Sequence, residues 1–168
     1  MPCPASGQIS IQSLVDEFGG SAPHAMSEYY RNAGLVPGNN TSVPTSGQFA
    51  LTNCYSAVNE IQHTHSSNAT DQNYATVFGD NWASTVPKRI IINNGVTIGA
   101  TGSNHAMTLP SGMGGTLIID NAGTVQGYGG AAGSTGGHCI HVSSGGVTVN
   151  NTGSLQAGGG GGANGGAG

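Results

Sequence analysis

More than half of the 31 glycines in this 168-residue chain fall between positions 127 and 168, concentrated in the tracts 127–137 and 158–168. Glycine has the largest backbone entropy to lose on ordering and no side chain to bury, so neither tract can be an ordinary α-helix or a central strand. Two states remain. The tracts are disordered, as low-complexity glycine segments commonly are, or they pack as polyproline-II-like helices whose missing side chains let backbones approach and hydrogen-bond, as on the collagen axis.

Aromatic and charged residues divide the chain in the same way. Tyr128 is the only aromatic residue after Trp82, and Asp120 is the only charged residue after Arg89. Charged residues make up 6% of the chain, against about 25% in an ordinary soluble domain. The first part therefore has the material for a small core, whereas the second must be held by backbone hydrogen bonds and stacked neighbours. A net charge of −4 without a Lys/Arg cluster excludes the electrostatic grip that nucleic acid or an anionic lipid surface requires. The N-terminal segment has neither a basic start nor a continuous apolar stretch, and no run approaches the ~20 apolar residues of a membrane span. Synthesis in a cytoplasm and no membrane insertion are expected. Cys3, Cys54 and Cys139 are odd in number and outside any CxxC spacing, which predicts small inert thiols rather than a disulfide framework or a thiolate metal site.

A short motif occurs twice, as Pro4-Ala5-Ser6-Gly7-Gln8-Ile9-Ser10-Ile11 and as Pro44-Thr45-Ser46-Gly47-Gln48-Phe49-Ala50-Leu51, and duplication of this kind marks a repeated structural unit. After the first copy, Ile11, Leu14, Val15 and Phe18 follow the i, i+3, i+4, i+7 rule of a one-sided helix. Ser10 is placed to cap its start and Gly19-Gly20 to end it. A second short helix is predicted over 27–31 with Ser27 as its cap, and Leu51, Cys54 and Tyr55 repeat the pattern after the second copy. Residues 1–60 thus read as a small helical attachment module. Residues 61–87, rich in Asn, Ser, Thr and His, read as a polar linker or collar.

From Lys88 the periodicity changes. Ile90-Ile91-Ile92-Asn93-Asn94-Gly95-Val96-Thr97-Ile98 is a β-branched run broken by an Asn-Gly turn signal. The text 115–127 is echoed by 146–158, and 105–109 by 138–142, with a period of 31 to 33 residues. Short β-rungs at this period predict a parallel β-solenoid, in which each rung buries its Leu, Ile and Val by stacking on the next. The fold class expected is therefore mixed: a small helical N-terminal module, then mainly β-solenoid-like rungs over 88–168 carrying glycine tracts that are polyproline-II-like or disordered.

The segment 4–57, with PASGQISIQSLVDEFGG, SEYYRNAGLVP and PTSGQFAL, resembles the N-terminal region of bacteriophage tail fibre and minor tail proteins. LIIDNAGTVQGYGGAAG and VTVNNTGSLQAGGGGG resemble the strand pairs and glycine blocks of phage tail-tip, receptor-recognising adhesins. The resemblance implies a virion component whose N-terminal module attaches to other tail, baseplate or neck proteins as a homotrimer, and whose distal part meets a host cell-surface receptor or glycan. The chain ends inside a glycine tract, from which a longer natural protein is expected.

Candidate chemistry is sparse. Glycoside hydrolysis needs two carboxylates roughly 5–10 Å apart, and beyond Arg89 there is only Asp120, which reads as a turn residue in Asp120-Asn121-Ala122-Gly123. A non-enzymatic protein is expected; the alternatives are a tail-associated depolymerase with its active site past position 168, or a bacterial surface adhesin. Gly160-x-Gly162-x-x-Gly165 lacks the strand-to-helix context of a nucleotide loop, and the repeats lack the recurrent Asp of a calcium solenoid. No cofactor is expected unless His63 and His65, alternate residues on a strand, face an axis where three chains would offer six imidazoles to an iron ion. A chance pair of solvated histidines is the alternative. Tyr128, in Gly127-Tyr128-Gly129, is the candidate receptor contact, since an aromatic on a glycine loop can stack on a sugar or enter a protein groove. Packing inside a trimer is its alternative role.

Overall fold

Ser10 accepts a hydrogen bond from the Ser13 amide while the Ser13 side chain returns to the Ser10 amide, a reciprocal cap that starts helix α1 (Ile11–Phe18). Gly19, at φ 75°, ends it. Leu14 and Phe18 turn into a cluster with Cys3, Tyr29, Val36, Val43, Cys54 and Ala57. The computed structural model describes residues 3–32, 34–102 and 104–162, in two units, 1–61 and 62–168.

In the first unit the duplicated motif becomes a cross-latched pair of loops. Gly7 and Gly47 both take left-handed φ, 86° and 80°. The Tyr55 hydroxyl donates to the Gly7 carbonyl and the Tyr30 hydroxyl to the Gly47 carbonyl. The next amides repeat the exchange: Ser56 N–H donates to Pro4 O at 3.1 Å and Arg31 N–H to Pro44 O at 3.0 Å. Each tyrosine follows a 3₁₀ turn, Met26–Tyr29 or Leu51–Cys54. The second helix expected from Ser27 is thus a 3₁₀ turn entered from Ala25, with Ser27 inside it. Tyr30 must leave the helical region, at ψ 138°, for its hydroxyl to reach the other loop.

Among the described residues of the second unit, eleven strands build a parallel β-solenoid of about three turns. The strands are β1 (Ile61–His65), β2 (Ala69–Thr70), β3 (Gln72–Asn73), β4 (Lys88–Ile92), β5 (Thr97–Gly99), β6 (Met107–Leu109), β7 (Leu117–Asn121), β8 (Thr124–Gln126), β9 (Ile140–Val142), β10 (Val147–Asn151) and β11 (Ser154–Gln156), with a short helix α2 (Tyr74–Phe78) after β3. They form three sheets, β1-β4-β7-β10, β2-β5-β8-β11 and β3-β6-β9. β4 and β5, on either side of the Asn-Gly turn, do not pair as a hairpin; each pairs in parallel with the strand of the next rung.

Register explains the burial. Ile90 lies on Ile119, Ile98 on Val125 and Met107 on Ile140, so apolar residues stack along the solenoid axis. Ile90, Ile92, Ile98, Met107, Leu109, Leu117, Ile119 and Val125 are fully buried. At the corner, buried Asn121 donates to Asn151 Oδ1 at 2.7 Å and to Ser154 O at 3.2 Å, and accepts from Gly123 N–H at 3.1 Å. A polar group inside a rung stack is tolerable because its bonds are made. In the last rung Val142, Val149 and Leu155 occupy the same inward positions and remain exposed. The end of the glycine run, 163–168, with the Gly165 of the GxGxxG pattern, lies outside the described residues.

Candidate functional site

Glycine tracts leave the solenoid between β8 and β9 and after β11, and they are hydrogen-bonded to one another. The amides of Gly127, Gly130 and Gly133 donate to the carbonyls of Gln156, Gly159 and Gly162. Gly158 and Gly161 donate to Gly137 and Ser134, and Gly137 donates to Tyr128 O at 2.7 Å. Each partner advances by three residues, the turn of a polyproline-II helix. Three segments, 127–133, 134–137 and 156–162, therefore pack side by side, the middle one antiparallel to the others. Over the described residues this is the packed alternative of the two states open to these tracts.

Close approach is what glycine supplies. A Cβ on Gly127 would lie 2.2 Å from Gly137 O, and one on Gly161 would lie 1.9 Å from Ala131 O. The result is a backbone surface without charge. Tyr128 stands on it with 36% of its surface exposed, and its own carbonyl is held by the Gly137 amide.

His63 and His65 do lie on one side of β1, their ring centroids 4.5 Å apart and the planes crossed at 76°. His63 is half-buried and His65 buried. Tyr74 and Phe78 of α2 pack against the pair, and His65 Nε2 is 2.8 Å from the Tyr74 hydroxyl. Burial, and then the neighbouring His63, lower the His65 pKa to about 4 from 6.5. Since unfolding restores the higher value, the contribution of His65 is complete above pH 6.5 and is lost as pH falls toward 4. A urea-unfolding series from pH 7 to 4 is expected to lose about 3 kcal/mol from this group; a flat profile would show that His65 titrates as if exposed.

Asp120 is on strand β7 rather than in the turn. It accepts from Asn150 Nδ2 at 2.7 Å and pairs with Arg89. The Asn150 bond, and then Arg89, hold its carboxyl below the ordinary carboxylate range. An ionised carboxylate tied in this way is a strand-to-strand clamp and a poor proton donor. Cys3 and Cys54 are buried, Cys139 is half-buried, and all three are free thiols.

A second imidazole group joins His105, His138 and His141. His138 precedes β9, so strand alternation does not govern it. Its ring and that of His141 both stack on His105, at 4.9 and 4.5 Å between centroids. The signal was present in the repeat that pairs 105–109 with 138–142. Among the described residues no group of three or more His, Cys, Asp or Glu side chains is arranged to hold a metal ion, and no helix is long and apolar enough to cross a membrane.

No curated protein and no solved structure matches this chain. The family model described as phage tail fibre adhesin Gp38 matches residues 58–168, which include every strand of the solenoid and the glycine bundle. This chain, with its stacked rungs and close-packed glycine helices, belongs to the phage tail fibre adhesin Gp38 family.

Proposed function

We propose that the chain recognises the host receptor through the glycine bundle, with Tyr128 as its principal contact, and that residues 1–60 dock it to other tail or neck proteins. The observation that carries this reading is the contrast at Tyr128: an exposed aromatic ring on a backbone surface that holds no charge and is fixed by its own hydrogen bonds. Such a ring offers stacking area to a sugar or an apolar groove at low entropic cost. The role is binding rather than catalysis, because the one carboxylate beyond Arg89 is committed to Asn150 and Arg89.

Particles carrying Tyr128→Ala are expected to adsorb to the host at least about tenfold more slowly, with Tyr128→Phe close to wild type if the ring face is what binds. Equal adsorption by the alanine particles would sink the assignment. Assembly as a homotrimer belongs to the same proposal, as does an axial iron at His63 and His65. With His65 Nε2 engaged by Tyr74, its Nδ1 is the nitrogen left for a metal. Native mass and iron content of the purified protein test both together: three chains with iron support them, and a metal-free monomer removes them.

A further inference from the structure

His105, His138 and His141 form a stack in which all three rings are nearly parallel, with interplanar angles of 13° to 26°. His105 is the common neighbour, since His138 and His141 are 6.0 Å from each other. The stack stands where the glycine bundle re-enters the solenoid. His138 N–H donates to His105 Nδ1 at 3.2 Å, Ala106 N–H to His138 O at 3.1 Å, and Met107 N–H to Cys139 O at 3.0 Å. One residue earlier, a Cβ on Gly137 would lie 2.1 Å from Asn104 O. The joint between bundle and rungs is therefore the pairing of 104–107 with 137–139.

We propose that this histidine stack is an acid-sensitive latch, which fastens the glycine bundle to the rung ladder at neutral pH and releases it when the imidazoles are protonated. Two consequences of protonation act in the same direction. His105 Nδ1 is the acceptor for the His138 amide, so a proton placed there removes the bond and leaves an N–H facing an N–H. Two or three imidazolium charges within 4.5–6.0 Å then repel one another.

The surroundings supply little relief. From Ile90 to the end of the chain the only carboxylate is Asp120, which is tied to Asn150 and Arg89. Asp71, on the turn between β2 and β3, reaches the loop before His105 through the Thr101 amide and hydroxyl. Those bonds, and one from Asn104, keep its pKa below the ordinary value, so it stays ionised throughout the histidine range. Cys139, a half-buried free thiol, is a further titratable side chain on the joint. Burial first, then His141 and His138, lower the His105 pKa. The sign follows: the folded joint prefers neutral His105, and its stability falls as pH drops below 6.5. The latch stands independently of what Tyr128 binds.

Amide exchange on the intact chain tests this, with rates corrected for the intrinsic pH dependence and compared at pH 7.5 and 5.5. The joint amides, Ala106, Met107, Gly137 and His138, are expected to lose about tenfold or more in protection at the lower pH beyond the loss that His65 imposes on β7. In a His138→Gln/His141→Gln variant, which lacks the like-charged neighbours, the loss should shrink severalfold. Titration of the imidazole nitrogen shifts by NMR should place His105 below the ordinary histidine value. Unchanged protection at pH 5.5, a loss spread equally over β7, or a loss as large in the variant would each overturn the latch.

Discussion

Lys88→Met is expected to destabilise the solenoid by about 3–5 kcal/mol, although methionine matches the length and much of the volume of the stem it replaces. Lys88 opens β4 and is fully buried, facing inward in register with Leu117. Its ammonium spends all three protons on backbone carbonyls: Ser84 O at 2.7 Å, Val86 O at 3.1 Å and Gly114 O at 2.9 Å. Burial lowers its pKa, and the carbonyl cage offsets that pressure by solvating the charge. Methionine leaves three part-buried acceptors without the Lys88 donor, each at a cost of about 1–2 kcal/mol. It also unties the 84–86 segment from the turn at Gly114, where the backbones already approach so closely that a Cβ on Gly114 would lie 2.2 Å from Ala83 O. Urea unfolding monitored by Trp82 fluorescence measures the loss, with Thr148→Ala on the exposed face of β10 as a reference that should move by less than about 0.5 kcal/mol. A Lys88→Met variant within about 1 kcal/mol of the parent would mean that water, rather than protein, solvates the ammonium.

A charged residue at a strand start gave no hint of that burial, and the same limit applies elsewhere. What was legible is local or repeated. Helix α1 could be read from Ser10, the apolar spacing and Gly19 because cap, face and stop lie within ten residues of each other. Rungs could be read from β-branched runs that recur, although the strands pair 30 residues apart at the Asn121 corner and 33 apart at the histidines. Matching Gly115 to Gly146 gives 31, one residue out of register, because Gly146 sits at a corner and passes its carbonyl to the Leu117 amide. The first rung carries no such run. On the covered side of β1, His63 and His65 pack on aromatic α2, so Ile61-Gln62-His63-Thr64-His65 shows no aliphatic alternation and 61–87 reads as polar. The tyrosine latches to Gly7 and Gly47 depend on contacts 48 and 17 residues apart, beyond any periodicity. The exposed position of Tyr128 follows from glycine on both sides of it, whereas the imidazole stack needed the rung repeat to be superimposed residue by residue.

Gly158→Ala should abolish the packing of the glycine bundle, and Gly159→Ala should not. A Cβ on Gly158 would lie 1.7 Å from Tyr128 O and 2.4 Å from its carbonyl carbon, both backbone atoms that no rotamer change can move aside. At Gly159 the same atom meets nothing within 4 Å. With three residues per turn, one glycine in three must face a neighbouring helix. Gly158 and Gly161 are those positions in the last segment, as are Gly127 and Gly130 in the first, whereas Gly129 and Gly162 face open space. Forcing the contact costs roughly 3 kcal/mol or more of the bundle's local stability. Alanine at Gly129 or Gly159 instead removes unfolded-chain entropy and gains up to about 1 kcal/mol. The two classes have opposite signs. Amide exchange should show 127–137 and 156–162 unprotected in Gly158→Ala while β7 and β8 stay protected, because the rungs hold one another through their own ladders. Host adsorption should fall with the bundle if it carries the receptor surface. Equal protection in the two variants would mean that the glycine segments do not touch and that the uncharged half of the chain is held by its β-rungs alone.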